Sequence, residues 1–364
     1  MVINSNAQGV MSPEVHDDGR VTFRYYGPDA KRVRVESGCL LNKPDNSWFD
    51  SKKRKAKMTR DQNGVWSLTT SPLIPEVYNY RFVVDGVKCV DPCNPDTIHE
   101  LLHKESLVVV GGLPMANLFV EREKVAHGKI DTVRCQVDDS GVSRKVLVYV
   151  PAVDSTEIRE SLPILYLLHG ISGDEQVWIE QGRVKQILDN MIANGDISPI
   201  MVVMPDCNVV KKVTRQKRTN LFRNIFNYPV LRHKKEFEKS FTKIHAALCS
   251  RYDITDSTTF LYMAGLSSGA MQAANIVKEN PSMFRKVGFF SPPLMGRRYM
   301  PDNGGISSYY VYIGDSDLFR KSGVRLAKRL VATGVECDCV NLDEGHSWRA
   351  WRRFLVLFLK EIQK

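Results

Sequence analysis

The stretch Phe260-Leu-Tyr-Met-Ala-Gly-Leu-Ser-Ser-Gly269 decides the fold of the larger part of this chain. Its first five residues form a continuous apolar run, which is typical of a strand buried on both faces of a sheet. The helix-like stretch 270–278 follows directly. A strand, a G-x-S-x-G turn and a helix in this order hold the central serine, here Ser267, beyond the edge of the sheet. The stretch therefore predicts a sharp turn with Ser267 at its tip.

The same alternation of strand and helix continues on both sides of this stretch, from about residue 115 to the C-terminus. Two strands are expected first, around 130–137 and 145–150. Further apolar runs lie at 164–168, 201–204, 287–290 and 309–313. Apolar residues at helical spacing occupy 184–192 and 237–248. Strands that alternate with helices predict a mostly parallel sheet with helices on both faces.

Residues 13–112 show a different pattern, in which short alternating segments are separated by turn residues and no helical period is present. The clearest turn signals are Gly27-Pro28, Asn63-Gly64 and Asp85-Gly86. About 100 residues of this kind predict an all-β, immunoglobulin-like sandwich. We therefore divide the chain into a sandwich, residues 1–112, and an α/β domain, residues 113–364.

Length and composition restrict the classes of protein to which the chain can belong. It has 364 residues, of which 43% are hydrophobic and 25% charged, as in globular proteins. No run of about 18 apolar residues exists, so membrane insertion is not expected. The eight cysteines form no pair of C-x-x-C motifs and no cluster with histidines. We expect free, mostly buried thiols, with no metal site and no cofactor.

The net charge of +10 is concentrated in the second domain. Residues 1–112 hold 15 basic and 14 acidic side chains, whereas residues 113–364 hold 36 and 27. The segment 211–235 has nine Lys or Arg and no acidic residue. We interpret it as a solvated loop, with an electropositive rim for an acidic polysaccharide or anionic acyl group as the alternative. We interpret the basic segment 50–60 as a solvated loop as well, because a run of charges of this kind is usually solvated, and no nucleic-acid partner is expected.

Ser267 is followed by an aspartate and a histidine at the ends of later strands. Asp315 and Asp317 come directly after the apolar run 309–313, and His346 follows another strand-like run. Serine, aspartate and histidine occur in this order in α/β-hydrolases. A serine hydroxyl needs an imidazole to accept its proton, and the imidazole needs a carboxylate to hold its tautomer. Ser267 is therefore the predicted nucleophile and His346 the predicted base.

Three aspartates compete for the role of the acid. We prefer Asp317, because it has a longer loop in which to turn inward, and Asp315 is the alternative. Asp343 is too close to His346 in the sequence to face its ring easily.

Backbone N–H groups beside Ser267 are expected to form an oxyanion hole. One donor is the residue after the nucleophile, Ser268, and the other comes from the loop after an earlier strand. That loop reads His169-Gly-Ile-Ser-Gly173, so the N–H of Ile171 is the second candidate. His169 itself is expected to orient the loop rather than to act as an acid or base.

With these residues in place, the chain resembles the esterase D-like enzymes of carbohydrate esterase family one. In the α/β domain the resemblance rests on Leu167-Leu-His-Gly-Ile-Ser-Gly-Asp174, Trp178, Met204-Pro-Asp206, Gly265-Leu-Ser-Ser-Gly269, Gly314-Asp-Ser-Asp317 and Gly345-His-Ser-Trp348. The front part is similar to an isoamylase-type, glycogen-binding-like sandwich. The matching stretches there are Asp18-Gly-Arg-Val-Thr-Phe-Arg24, Pro28-Asp-Ala-Lys-Arg-Val33, Gly64-Val-Trp-Ser67, Tyr78-Asn-Tyr-Arg-Phe-Val-Val-Asp-Gly86 and Asp91-Pro-Cys-Asn-Pro95.

The resemblance implies an α/β-hydrolase fold and a serine esterase that removes feruloyl or acetyl groups from plant cell-wall polysaccharide, xylan or arabinoxylan, through an acyl-enzyme. It implies the same roles for Ser267, Asp317, His346, Ile171 and Ser268. It further implies contact with substrate by His169, Trp178 and Trp348. No cofactor is implied. Because the polysaccharide lies outside the cell, a secreted or periplasmic protein is expected, with a cytoplasmic enzyme acting on imported oligosaccharides as the alternative.

Two other functions remain open at this point. One is a non-catalytic glycan-binding protein that retains a hydrolase fold, and the other is an esterase of another substrate class, such as siderophore esters.

The front domain carries two tryptophans in or near its predicted strands. Trp66 alternates like a core residue, and Trp48 lies in a polar loop. A glycan platform normally needs more than one exposed aromatic face. We therefore expect the front domain to pack against the hydrolase domain and to shape one side of its cleft, without binding polysaccharide tightly by itself.

Overall fold

The computed structural model describes most of the chain. The described residues are 10–40, 55–99, 104–137, 143–153, 162–171, 173–208, 234–254, 260–293, 295 and 305–364. The expectations for Trp48, for residues 50–54 of the first basic segment and for residues 211–233 of the second fall outside these ranges. Within these ranges, no helix combines the length and the apolar character that a membrane crossing requires.

The N-terminal part contains ten strands among the described residues, arranged in two sheets. They are β1 Glu14–Val15, β2 Val21–Tyr26, β3 Val33–Ser37, β4 Lys55–Lys57, β5 Thr59–Arg60, β6 Val65–Thr69, β7 Glu76–Val84, β8 Val87–Cys89, β9 Thr97–His99 and β10 Lys104–Val110. One sheet has the order β1-β2-β6-β5, and the other has the order β4-β3-β7-β10-β9, with β8 paired to β7.

The core of this sandwich is made of side chains that alternate along the strands. Phe23 of one sheet packs on Tyr80 of the other, with ring centroids 4.6 Å apart. Trp66 is buried in the same core, and its indole N–H donates to the carbonyl of Gly27 at 2.9 Å. The expected core role of Trp66 is confirmed.

The C-terminal part contains one eight-stranded sheet among the described residues. Its strands are β11 Lys129–Gln136, β12 Ser143–Val150, β13 Ile164–Leu168, β14 Met201–Pro205, β15 Leu261–Leu266, β16 Phe284–Phe290, β17 Ser308–Gly314 and β18 Cys337–Leu342. The order is β11-β12-β14-β13-β15-β16-β17-β18. The pairings β11–β12 and β12–β14 are antiparallel, and all later ones are parallel.

Helices cover both faces of this sheet. They are α1 Pro114–Asn117, α2 Val177–Glu180, α3 Val184–Ala193, α4 Lys234–Tyr252, α5 Ser268–Glu279, α6 Arg320–Ala332 and α7 Trp348–Glu361, with short 3-10 turns at Gly38–Leu40 and Pro281–Met283. Leu165 and Leu167 of β13 share a core with α3 and α7. The alternate residues Ile164 and Tyr166 share the opposite core with α4, α5 and α6. The predicted mostly parallel, two-faced sheet is confirmed.

The sandwich and the α/β domain share one hydrophobic core. Val77, Ile98 and Leu107 of the sandwich belong to the same buried cluster as Phe119 and the apolar face of α7. The expected packing of the front domain on the hydrolase domain is therefore present. The boundary proposed between residues 112 and 113 falls between β10 and α1 and stays a prediction.

The contact of α5 with the strand β13 can be tested by replacing Gly269 with alanine. A Cβ at residue 269 would collide with the carbonyl of His169 and lie 2.8 Å from the carbonyl oxygen of Leu168. Both obstacles are backbone, so we expect Gly269→Ala to lower the free energy of unfolding by about 2 kcal/mol or more in urea denaturation. Gly345→Ala is the control, since its Cβ would meet no atom within 4 Å. An equal loss in both variants would contradict the steric argument.

Candidate active site

Ser267 lies at the tip of the turn between β15 and α5. Its backbone has φ +51° and ψ −117°, a conformation that costs a residue other than glycine about 1–3 kcal/mol. The close approach of strand and helix imposes this turn, because a Cβ at Gly265 would collide with the backbone of Gly269. The N–H of Ser267 donates to the carbonyl of Phe290 at 2.8 Å, which ties the turn to β16. The predicted sharp turn is confirmed.

The side chains of Ser267, His346 and Asp317 form a chain of hydrogen bonds. The Oγ of Ser267 lies 3.2 Å from Nε2 of His346. The Nδ1 of His346 lies 3.0 and 3.2 Å from the two carboxylate oxygens of Asp317. An ionised carboxylate only accepts, so the imidazole proton sits on Nδ1 and Nε2 is left to accept the hydroxyl proton. This arrangement can activate a serine as a nucleophile.

Asp317 is held in the ionised form by its hydrogen bonds. Its side chain is fully buried, and Oδ1 also accepts the N–H of Phe319 at 2.7 Å. Burial alone would favour the neutral carboxyl. Hydrogen bonds from His346, Ser291 and Phe319 outweigh it and keep the pKa of Asp317 below its ordinary value.

The two alternative aspartates lie apart from the histidine. Asp315 is about half exposed and pairs with Arg320, whose Nε lies 3.2 Å from Oδ1. Asp343 is exposed to solvent. The geometry therefore brings together the preferred Asp317 with His346 and leaves both alternatives on the surface.

Two residues beside the histidine and the aspartate were missed by the sequence reasoning. Ser291 is fully buried after β16, where its hydroxyl hydrogen-bonds to Asp317 and accepts the indole N–H of Trp351 at 3.0 Å. The ring of Trp351 meets the imidazole of His346 edge to face, with centroids 5.0 Å apart. A signal for Ser291 was present, because it is the first polar residue after the apolar run 287–290, at the sheet edge where such sites collect.

The loop after β13 passes beside Ser267 and is held in place by His169. A Cβ at Gly170 would lie 3.5 Å from the Cβ of Ser267. The Nδ1 of His169 donates to the carbonyl of Gly170 at 2.7 Å, and Nε2 accepts the N–H of Cys207 at 2.9 Å. Both ring nitrogens are therefore used by the backbone. This fits the expected orienting role of His169 and does not fit the substrate contact that the resemblance implied.

The backbone of Ile171 and Ser268 adjoins the serine. Ile171 follows Gly170 in the loop, and Ser268 is the first residue of α5. The first N–H groups of a helix have no partner within that helix, and they carry partial positive charge. Their assignment as the oxyanion hole stays a prediction.

Trp178 and Trp348 are part of a buried aromatic cluster. Their rings meet edge to face at 5.2 Å, and Trp348 meets Trp351 in the same way at 5.2 Å. Trp178 is 1% exposed and Trp348 is 7% exposed. The substrate contact implied for these two side chains does not fit this burial. The cluster instead packs behind the ring of His346 through Trp351.

Comparison with known families agrees with this architecture. Residues 139–309 match the Esterase family, and residues 10–94 match carbohydrate-binding module 48, the isoamylase N-terminal domain. The two matches, in this order, confirm the resemblance found in the sequence. The first contains Ser267, whereas Asp317 and His346 lie beyond its end.

A single relative matches almost the whole of this chain, across both domains. A curated relative, the endo-1,4-beta-xylanase/feruloyl esterase of Xylanibacter ruminicola, is 27% identical over 370 residues. The match covers 99% of this chain and 47% of the relative, so the chain spans about half the length of that protein.

Solved structures share the fold. The enterobactin esterase of Shigella flexneri has a TM-score of 0.65 at 16% identity, with 100% of this chain and 99% of that chain covered. A ferulic acid esterase of Anaeromyces mucronatus has a TM-score of 0.55 at 16% identity, with 73% and 96% covered. These likenesses confirm the fold class, a hydrolase sheet preceded by a β-sandwich.

The choice between the two aspartates is tested by replacing each with asparagine. Asp317→Asn should lower kcat for a chromogenic acetyl ester by about 10⁴, because an amide no longer holds the imidazole in the reactive tautomer. Asp315→Asn, which removes only a surface ion pair, should change kcat less than about threefold. The reverse ranking would move the acid role to Asp315.

The contribution of Ser291 is tested by its alanine variant. A buried hydrogen bond to a charged group is worth about 1.5–3 kcal/mol, so Ser291→Ala should lower kcat by about ten- to a hundredfold. The matched control is Ser316→Ala, which removes an exposed hydroxyl next to Asp317. If both variants keep the wild-type kcat in the same assay, Ser291 has no part in holding the carboxylate.

Proposed function

We propose that this protein is a serine carboxylic-ester hydrolase that removes feruloyl or acetyl groups from plant cell-wall polysaccharide. The observation that carries the proposal is the hydrogen-bonded chain from Ser267 through His346 to the buried Asp317. A protein that merely retained the fold as a glycan-binding scaffold would have no need of an ionised aspartate in its interior, since burying a charge is costly unless it is paired.

The geometry supports a two-step reaction. The Nε2 of His346 takes the hydroxyl proton while Oγ of Ser267 forms a bond to the ester carbonyl carbon. The N–H groups of Ile171 and Ser268 donate to the oxyanion that develops. When the carbonyl re-forms, the bond to the sugar oxygen breaks, and the imidazolium gives its proton to that oxygen. A water molecule then repeats the sequence on the acyl-enzyme and releases the acid.

Asp317 stabilises the imidazolium in both steps. Its carboxylate lies 3.0 Å from Nδ1 of His346 and stays ionised because its pKa is lowered. Phe319 and Trp351 contact the imidazole edge to face at 5.1 and 5.0 Å. These rings limit the rotation of His346, so the proton is transferred along a fixed direction.

The substrate class is supported by the relatives and by the domain order. The Xylanibacter relative is named as a xylanase/feruloyl esterase, and a structural neighbour is named as a ferulic acid esterase. Feruloyl is therefore the preferred acyl group, with acetyl as the alternative. A polysaccharide substrate lies outside the cell, so we propose that the protein is exported. Binding to nucleic acid or insertion into a membrane has no place in this proposal.

A second candidate is hydrolysis of siderophore esters. It is favoured by the likeness to the Shigella enterobactin esterase, which extends over both domains. Both candidates use the same three side chains, so only the acyl and alcohol groups distinguish them.

The proposed function is tested with the wild type and Ser267→Ala on a panel of esters. The wild type should release ferulate from feruloylated arabinoxylan at least about tenfold faster, in kcat/KM, than it hydrolyses enterobactin. Ser267→Ala should lose about 10⁵ or more in kcat on every substrate. The control Ser282→Ala changes an exposed serine. Activity of Ser267→Ala within tenfold of the wild type would overturn the mechanism, and preference for enterobactin would favour the second candidate.

The pH dependence of kcat/KM follows from the two ionisable catalytic residues, His346 and Asp317. His346 must be neutral to accept the hydroxyl proton, so the rate depends on the fraction of the enzyme in which this imidazole is unprotonated. The pKa of Asp317 is lowered, so this carboxylate is ionised at every pH of the assay and adds no second step. We expect kcat/KM for a feruloyl ester to rise with pH through one ionisation and then to level off. Rates that do not change between about pH 5 and 8 would contradict a histidine base.

A further inference from the structure

A buried glutamate of the sandwich, Glu76 at the start of β7, pairs with arginines of the hydrolase domain. It is 1% exposed. Its Oε1 lies 3.0 Å from Nη2 of Arg352, which is itself 1% exposed. Its Oε2 lies 3.4 Å from Nε of Arg349 and 3.4 Å from Nη2 of Arg353. One carboxylate from the front domain therefore contacts three arginines in the first two turns of α7.

Two of these arginines also contact a second carboxylate, that of Glu344. The Oε1 of Glu344 lies 3.2 Å from Nε of Arg349 and 2.9 Å from Nη1 of Arg353. Arg349 and Arg353 thus bridge Glu76 and Glu344. Glu344 is buried and stands two residues before His346.

The backbone of Glu344 also supports the turn that carries the aspartate. Its carbonyl accepts the N–H of Ser316 at 3.0 Å, directly before Asp317. On the other side of His346, Ser347 caps α7, and its Oγ accepts the N–H of Ala350 at 3.4 Å. His346 therefore lies in the sequence between Glu344 and the first turn of α7. Arg349 and Arg353, which contact Glu76, are part of α7 and also bind the carboxylate of Glu344.

Arg352 fixes the helix against both domains. Its Nη1 donates to the carbonyl of Gln181 at 2.7 Å, and Nη2 donates to the carbonyl of Val77 as well as to Glu76. Trp351, the next residue along α7, is the one that contacts His346 and Ser291. A shift of α7 would therefore move the side chains around the imidazole.

We propose that Glu76 is a positioning residue for the reaction: through Arg349 and Arg353 it holds Glu344, and with it His346 and the Asp317 turn, in the reactive geometry. The front domain is in this way part of the active-site framework. The inference rests on the proposed hydrolase function. A misplacement of about 1 Å in a catalytic group can cost about a hundredfold in rate.

The test is the isosteric variant Glu76→Gln in the full-length protein. Active sites are counted by stoichiometric labelling with a fluorophosphonate, and p-nitrophenyl acetate is the substrate, because it is too small to bind across both domains. We expect kcat per labelled site to fall at least about tenfold. KM should stay within about threefold, since acylation and deacylation both depend on His346 and slow together. A purely structural role would reduce the number of labelled sites or the Tm but not the rate per site.

The matched control is Asp96→Asn, which makes the same acid-to-amide change in another ion pair between the domains. A carboxylate oxygen of Asp96 lies 3.3 Å from Nη1 of Arg183. Arg183 directly precedes α3, and neither residue is near the segment 344–347 in the sequence. Its kcat per labelled site should stay within about twofold of the wild type.

A second variant keeps the experiment decisive if Glu76→Gln does not fold. The double variant Arg349→Met, Arg353→Met removes the bridge but keeps the buried pair of Glu76 and Arg352. It should show the same loss of kcat per site. Wild-type kcat per site in the double variant, or in a folded Glu76→Gln, would overturn the inference. Neither result touches the proposed function, which stands or falls with Ser267→Ala.

Discussion

Strand β15 and helix α5 meet across Gly265 and Gly269, and neither position has room for a Cβ. Because the chain must reverse between them, Ser267 adopts φ +51°, a conformation that its own side chain does not favour. The surrounding core and the hydrogen bond to the carbonyl of Phe290 maintain it. The strain places one hydroxyl beyond the sheet edge at a fixed point, and the other catalytic groups have to be brought to that point.

Four adjacent strands supply those groups. β15, β16, β17 and β18 lie side by side and parallel, so their carboxyl ends share one edge. Ser267, Ser291, Asp317 and His346 follow them in that order. Burial of an ionised carboxylate is costly unless it is hydrogen-bonded, and the donors around Asp317 offset that cost. The carboxylate of Asp317 needs hydrogen-bond donors, and Ser291 supplies one of them. The indole N–H of Trp351 in turn donates to the hydroxyl of Ser291.

Much of this could be predicted from local sequence. Apolar runs without alternation, the G-x-S-x-G turn and the order of the three residues are all short-range signals, and they located the sheet, Ser267 and His346. The choice between Asp315 and Asp317 was different in kind, because it depends on how one turn directs its side chains. The family resemblance implies a substrate contact for Trp178, whereas its burial, at 1% exposure, results from tertiary packing that no local sequence pattern indicates.

Glu76 shows why the remaining part could not be predicted. In the sequence it is a charged residue at the start of an alternating strand, the usual mark of a solvent-facing position. Its partner Arg352 is 276 residues away. A buried ion pair gains little stability over an apolar contact, but breaking it is costly, and its geometry fixes one relative arrangement. Apolar surfaces such as those of Val77 and Leu107 tolerate small slips, whereas hydrogen-bonded arginines do not. The hydrophobic interface thus joins the two domains, and the ion pairs of Glu76 with the arginines of α7 fix the position of the sandwich relative to this helix. The position of Ser267 is fixed within its own domain, by the close contact of β15 and α5. The position of His346 depends in addition on ion pairs with Glu76 of the sandwich domain.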